Sequence, residues 1–293
     1  MEVNALATPE VSTLPSYGRP PVVEVAISAR FSTDSTINPG HLGAFWSTVK
    51  DRFPTVASTQ PIASRKDEAA ARWTPPSIQF ALTNRPDCRL QMTQADDDAW
   101  MWQVQSDRLV VNWRRRPDSE YPRYSRTLEE FRQAWQSWTG FLDEIGIEGP
   151  VPLSWEITYV NEIPAGPNEL WTSPSEWPTI LPGLFGGPFQ AEAGLALAGL
   201  HGEWVWDYAE PQARLVVNPA PATRNDQHLL MLTLTARGPV DQADPAEDSI
   251  TSSSESLSAY EKGLNLGHRL IVNTFDTLGS ENAKQHWERH DHA

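Results

Sequence analysis

The chain has 293 residues, 23 basic and 38 acidic side chains for a net charge of −15, 39% hydrophobic residues and 13 tryptophans. This length supports one or two domains with a large apolar core, and the ordinary shares of charged and apolar residues exclude overall disorder. The acidity argues against DNA and anionic membranes, whose protein partners bind through basic surfaces. No apolar run approaches the roughly 20 residues of a spanning helix. The N-terminus lacks the basic and apolar regions of a secretion signal, and the single Cys88 can form neither an internal disulfide nor a thiolate zinc site. The expectation is a cytoplasmic chain with no membrane partner, no DNA partner, no metal and no cofactor.

Residues 1–16 have no periodicity and read as a loose tail. From 22 to 31 the chain alternates, with Val23, Val25, Ile27, Ala29 and Phe31 on one face, which predicts a half-buried strand. Asn38-Pro39-Gly40 breaks it, and 41–53 reads as a helix carrying Leu42, Phe45, Trp46, Val49 and Phe53. Residues 54–77 read as a loop. Strands are predicted at 78–83, 89–94, 100–105 and 108–115, punctuated by Asn84-Arg85-Pro86-Asp87, Asp96-Asp97-Asp98 and Ser106-Asp107 as the turns of an antiparallel meander. A strong helix follows. Thr127 and Glu130 have the spacing of a capping box. Leu128, Phe131, Trp135, Trp138, Leu142 and Ile145 form one stripe, and Gly146 stands where a left-handed cap would end the helix.

The pattern then restarts. Leu153, Trp155, Ile157, Tyr159, Asn161 and Ile163 alternate as a long strand. A stretch rich in Trp, Pro and Gly covers 164–190. Strands are predicted near 195–200, 203–208, 214–218 and 228–237. Residues 241–256, with five acids, no bases and six Ser or Thr, read as a solvated loop. The last long helix carries Leu257, Tyr260, Leu264, His268, Ile271, Phe275 and Leu278; Gly279-Ser280 ends it, and a short helix from 281 to about 290 closes the chain. Arg-Leu-Val-Val-Asn at 108–112 recurs at 214–218, each time after a Trp-x-Trp strand (Trp100 and Trp102, then Trp204 and Trp206). The fold class expected is α+β. Two tandem β-α-β(meander)-α units, 17–149 and 150–293, form one compact body with pseudo-twofold symmetry, and each antiparallel sheet is covered by a long helix in a saddle-like, helix-grip arrangement.

Several words of this chain look familiar together. They are Tyr17-Gly-Arg-Pro20-Pro21-Val-Val-Glu24, Asn112-Trp113-Arg114 with Tyr121-Pro-Arg-Tyr124, the strand Ile157 to Ile163, and His268-x-x-Ile271-x-x-x-Phe275 with Trp287. The chain resembles a sporadically distributed bacterial family of conserved hypothetical proteins over about residues 17–290. Where that family commonly has arginines in the mid-chain strand, this chain has Thr158 and Glu162. The resemblance implies no reaction. Its patchy distribution fits defence or toxin–antitoxin roles.

The candidate chemistry is sparse. Glu24, opposite Val23 and Val25 and held extended by Pro20-Pro21, is a carboxylate that needs a partner if its face is covered. Arg114, Arg115, Arg116, Arg123 and Arg126, interleaved with Trp113, Tyr121 and Tyr124, form the basic cluster, suited to a small nucleotide-like anion. Trp171 and Trp177 mark an aromatic loop that could serve as a lid or partner surface. His286 and His290, four apart in a stretch that also holds His292, have the helical spacing that puts two imidazoles on one face for a metal. His268, on an apolar stripe, reads as a core histidine, and there is no nucleophile elbow or phosphate loop. The preferred reading is a non-enzymatic binding or regulatory protein with a protein partner, such as a basic toxin or defence component. The alternative is an enzyme or receptor for a small anionic ligand at the arginine cluster.

Overall fold

The computed structural model describes residues 14–33, 37–63, 88–95, 99–117, 119–185, 200, 202–240 and 253–290. The strand predicted at 78–83, and that near 195–200 except for Leu200, lie outside them. The described residues form an α+β structure around a large antiparallel sheet. In chain order they run β1 (Ser16–Tyr17), β2 (Val22–Ser32), α1 (Pro39–Val49), β3 (Thr55–Thr59), β4 (Arg89–Thr93), β5 (Trp100–Gln105), β6 (Arg108–Arg114) and α2 (Arg123–Glu144). Next come β7 (Val151–Pro164), a single turn at Pro174–Glu176, α3 (Trp177–Ile180), α4 (Pro182–Phe185), β8 (Trp204–Tyr208), β9 (Ala213–Arg224), β10 (Gln227–Pro239), α5 (Ser253–Leu278), α6 (Glu281–His286) and β11 (Arg289–His290). Nine strands make one sheet in the order β3-β4-β5-β6-β2-β7-β10-β9-β8, and β1 pairs separately with β11.

Two compact units emerge, each drawing on both halves of the chain. One holds the described residues of 26–155 and 239–262; the other holds those of 1–25, 156–238 and 263–293. In the first, alternation sends Val25-side residues Ile27, Ala29 and Phe31 of β2, Met92 of β4, Trp102 and Val104 of β5, and Leu109, Val111 and Trp113 of β6 into one core. The α2 stripe Leu128, Phe131, Trp135, Trp138 and Leu142 is buried against them. Phe31 meets Trp135 edge-on at 5.8 Å, Phe45 of α1 meets Trp138 at 5.0 Å, and Tyr260 of α5 meets Trp135 at 4.9 Å. Tyr260 also donates its hydroxyl to the Arg30 carbonyl at 2.6 Å, which satisfies the polar end of a buried ring.

In the second unit, Ile157, Tyr159 and Ile163 of β7 and Leu230, Leu232 and Leu234 of β10 are buried, as are Leu264, Ile271, Phe275 and Leu278 of α5. Tyr17 donates to Asp276 at 2.7 Å and packs edge-on to Phe275 at 5.4 Å, so the Tyr of the opening motif ties β1 to the last long helix. His268 is indeed a core histidine. Its Nδ1 lies 2.9 Å from the Tyr159 hydroxyl, and burial depresses the imidazole to about 4. The ring is therefore neutral in the fold, whereas in the unfolded chain it titrates near 6.5. The stability that depends on this is complete above about pH 6.5, shrinks as pH falls, and is gone by about pH 4. At the ordinary conversion the loss is at most about 3 kcal/mol. Urea unfolding of wild type and His268→Gln at pH 7 and pH 4.5 is expected to show a smaller acid loss in the variant.

The structure corrects several expectations. Residues 55–59, read as loop, form β3 and pair with β4 in register Thr55↔Thr93 to Thr59↔Arg89. Asn38-Pro39-Gly40 is a helix start: the Asn38 side chain accepts from the Gly40 and His41 amides, and His41 Nδ1 accepts from the Asn38 amide. Thr127 and Glu130 do not cap α2, which begins at Arg123 after Pro122; both are buried inside it. Ile145 is exposed, because the chain turns away there. Gly146 takes φ +72°, and the Ile147 and Gly146 amides donate to the Leu142 and Asp143 carbonyls, so that Ile147 is buried in its place. The final helix stops at His286, and Glu288 has φ +55°, so His286 and His290 share no helical face. Ser16, placed in the tail, pairs with His290.

The repeated words also fall out of step with the strand order. Arg-Leu-Val-Val-Asn lies on β6, adjacent to β2, but on β9, one strand removed from β7. Trp-x-Trp lies on β5, second from β2, and on β8, third from β7 and at the sheet edge. Trp102 is 2% exposed and Trp206 is 42% exposed. The words recur without marking equivalent positions.

Candidate functional site

β8 is an edge strand: among the described residues it has β9 on one side and no strand on the other. Its register with β9 runs Trp204↔Val217, Val205↔Val216, Trp206↔Leu215, Asp207↔Arg214 and Tyr208↔Ala213. Val205, Trp206 and Tyr208 are exposed by 47%, 42% and 39%. Only two other large hydrophobics among the described residues, Ile145 and Val151, are comparably open. Three of five such residues therefore crowd onto one five-residue strand whose outer backbone edge is unpaired by any described strand. Natural sheets usually blunt such an edge with charge, proline or a covering element. The charges here are acidic. Glu203 and Glu210 are exposed, and Asp207 is held below its ordinary value by the Arg214 side chain, which donates from Nε at 2.7 Å.

The sequence-predicted aromatics stand elsewhere. Trp113, Trp171 and Trp177 are buried. Trp113 belongs to the core face of β6, with its ring 5.6 Å from that of Tyr121. Trp171 donates Nε1 to the Ile163 carbonyl at 3.0 Å and meets Trp177 edge-on at 5.5 Å. The loop 171–185 thus packs its aromatics inward, and neither tryptophan offers a face to a partner. Trp204 and Trp206 were visible in the sequence as a Trp-x-Trp strand. The exposure of Trp206 was hidden, because alternation alone does not say that a strand is the last in its sheet.

The arginine cluster is spread over several local tasks. Arg114 closes β6, where its amide donates to the Ala99 carbonyl at 2.8 Å. Arg115 is exposed and Arg116 half-buried, with the Arg116 amide donating to the Ser119 hydroxyl at 2.7 Å. Arg123 lies over the Tyr121 ring at 5.5 Å. Tyr124 is half-buried, and its phenol is pushed up by burial and then by the Glu261 charge. Arg126 approaches Glu130 at 3.7 Å and lies over Trp100 at 5.9 Å. Glu24 is half-buried on β2. In Arg123 and Arg126, guanidinium groups expected to clamp an anion rest on the chain's own rings and carboxylate.

What the sequence missed is the partner that organises this corner. Glu130 is fully buried and accepts from Arg52 Nη2 at 2.6 Å on both oxygens and from Trp102 Nε1 at 2.8 Å. Arg52 Nη1 also donates to Gln133 at 3.0 Å, and its guanidinium lies 5.1 Å from the Phe53 ring centre and 5.3 Å from that of Trp102. The sequence held a signal for it: Glu130 is three residues after Thr127 and four before Ala134, both buried, so it lies on the flank of the apolar stripe. This carboxylate is saturated by its own neighbours, as a structural ion pair requires.

Against family models, curated proteins and solved structures, the chain finds no match.

Proposed function

We propose that this is a non-enzymatic binding protein that engages a basic polypeptide through the β8 edge. The observation that carries this reading is the concentration of exposed Val205, Trp206 and Tyr208 on an edge strand flanked by Glu203 and Glu210. An open edge adds a strand by main-chain hydrogen bonds, the aromatic side chains supply hot-spot area, and the acidic flank of a chain with net charge −15 selects a basic partner. A basic toxin or defence component has that character, in keeping with the family resemblance of the opening motif. The architecture we favour is an internal duplication. Its support is the strand order, in which β2 is followed outward by β6, β5 and β4, and β7 by β10, β9 and β8, with α2 and α5 each entered after the meander.

The test is affinity purification of tagged wild type and of a Val205→Lys/Trp206→Lys variant from cells of the native host, at matched expression. The expected result is a stoichiometric basic protein that is retained by wild type and reduced at least tenfold by the variant. Equal recovery with both would place the partner surface elsewhere. A turnover detected with no bound partner would replace the binding reading altogether.

A further inference from the structure

Directly opposed residues of an antiparallel pair share a face, so the register of β8 fixes what each of its faces presents. Trp204, Trp206 and Tyr208 stand level with Val217, Leu215 and Ala213 of β9, and Val217 and Leu215 stand level with Leu234 and Ala236 of β10. Those β9 and β10 residues are buried, so this is the core face of the sheet. The ring of Phe185 meets that of Trp204 edge-on at 5.9 Å, while Trp206 and Tyr208 stay exposed.

The opposite face is ordered by charge. Val205 stands level with Val216 of β9 and Thr235 of β10, and the Thr235 hydroxyl lies 2.9 Å from that of Thr158 on β7. Two residues along, Asp207, Arg214 and Arg237 share a row. Arg237 reaches Glu156 of β7 at 3.8 Å, and Arg214 donates to both Asp207 oxygens, from Nε at 2.7 Å and from Nη2 at 3.1 Å. From β7 to β8 the row therefore reads Glu, Arg, Arg, Asp, and it ends on a side chain that is still 68% exposed. A further strand continues the row with a cation, since opposite charges across strands attract and like charges repel.

β9 already displays the complement of β8. Its residues Ala213 to Val217 read Ala-Arg-Leu-Val-Val and set Arg214 against Asp207, Leu215 against Trp206 and Val216 against Val205. A strand on the outer side of β8 meets the same side chains on the same two faces. Beyond Val217, β9 carries Pro219 and Pro221, which supply no N–H, so an added strand gains its main-chain bonds at β8 and not farther along. Resting on the edge reading above, we infer that the partner pairs with β8 through an antiparallel segment that repeats the β9 pattern: an Arg or Lys against Asp207, apolar residues on both sides of it against Trp206 and Tyr208, and a β-branched residue against Val205. The cation takes the outward side of the Asp207 carboxylate, and the apolar residues cover the two exposed rings. A cation moved by one place falls on the aromatic face, away from Asp207, because a one-residue slip turns every side chain over.

Fluorescence anisotropy of labelled, end-capped peptides titrated with the full chain tests this. The probe is Gly-Ser-Ala-Arg-Leu-Val-Val-Ser-Gly; one control carries Glu in place of Arg, and the other exchanges Arg and Leu. Saturable binding of the probe is expected, with both controls at least tenfold weaker. Asp207→Lys, at an exposed position, should reverse the order, so that the Glu peptide binds at least tenfold tighter than the probe. Equal affinity of wild type for all three peptides, or an unreversed order in Asp207→Lys, would overturn the pattern; loss of all three in Val205→Lys/Trp206→Lys would then leave recognition through β8 standing without it. Absence of probe binding by wild type would likewise overturn the pattern alone, since capture of the native partner reads the edge separately. Probe affinity unchanged in Val205→Lys/Trp206→Lys would overturn the pattern and the edge reading together.

Discussion

Glu130→Ala is expected to destabilise the protein by about 3–5 kcal/mol, the usual loss when one partner of a buried ion pair is removed. The substitution leaves Arg52 facing two rings with its carboxylate gone, and it strips the acceptor from Trp102 Nε1. Chemical denaturation followed by tryptophan fluorescence measures the change. Arg52→Met should cost at least as much as Glu130→Ala, because it leaves a fully buried carboxylate without its guanidinium, whereas the Arg52 left by Glu130→Ala reaches solvent. Arg52→Met/Glu130→Leu should recover part of the loss, since an apolar pair of similar volume removes both charges. If Glu130→Ala were neutral, Glu130 would not be the buried anchor of this corner.

Trp135→Ala should cost a comparable amount, about 3–5 kcal/mol. Trp135 is fully buried and touches Phe31, Phe131 and Tyr260, so three elements of the first unit lose a shared neighbour. Its indole Nε1 is buried without a hydrogen-bond partner. Trp135→Phe should therefore cost much less than Trp102→Phe relative to lost area: the first removes a donor that has no acceptor, and the second breaks a hydrogen bond to a charged group, at about 1.5–3 kcal/mol. The paired unfolding curves decide between them, and an equal loss in both would mean that the Trp102–Glu130 bond contributes nothing.

Much of this framework is legible in the residues. The α2 stripe repeats at helical spacing over several turns, so Leu128 to Leu142 could be assigned to a core face without knowing what covers it. Ser106-Asp107 marks the β5–β6 turn, and β5 is found at its predicted limits. Gly146 announces its own φ. The failures share one physical cause: they concern what lies beyond the local pattern. Glu130 sits three residues after a threonine, and only the position of Arg52, far earlier in the chain, shows that its oxygens point inward. Thr55–Thr59 has no alternation of burial to reveal it, because β3 is an edge. The polar side of Trp-Met-Trp-Gln-Val-Gln could be read from its alternation, but the burial of Gln103 and Gln105 could not. The same limit hid the candidate site. Trp171 and Trp177 look exposed in a proline-rich stretch and are buried, whereas Trp206 looks like core and is open.

Hydroxyl-radical footprinting of the free protein, and of the protein eluted with its captured partner, reads the β8 assignment residue by residue. Free, Trp206 and Tyr208 should be oxidised rapidly, with Trp102, Trp113, Trp171 and Trp177 protected; in the complex, the oxidation of Trp206 and Tyr208 should fall at least fivefold. Protection of Trp206 in the free chain, or unchanged oxidation of Trp206 and Tyr208 in the complex, would contradict recognition through this edge.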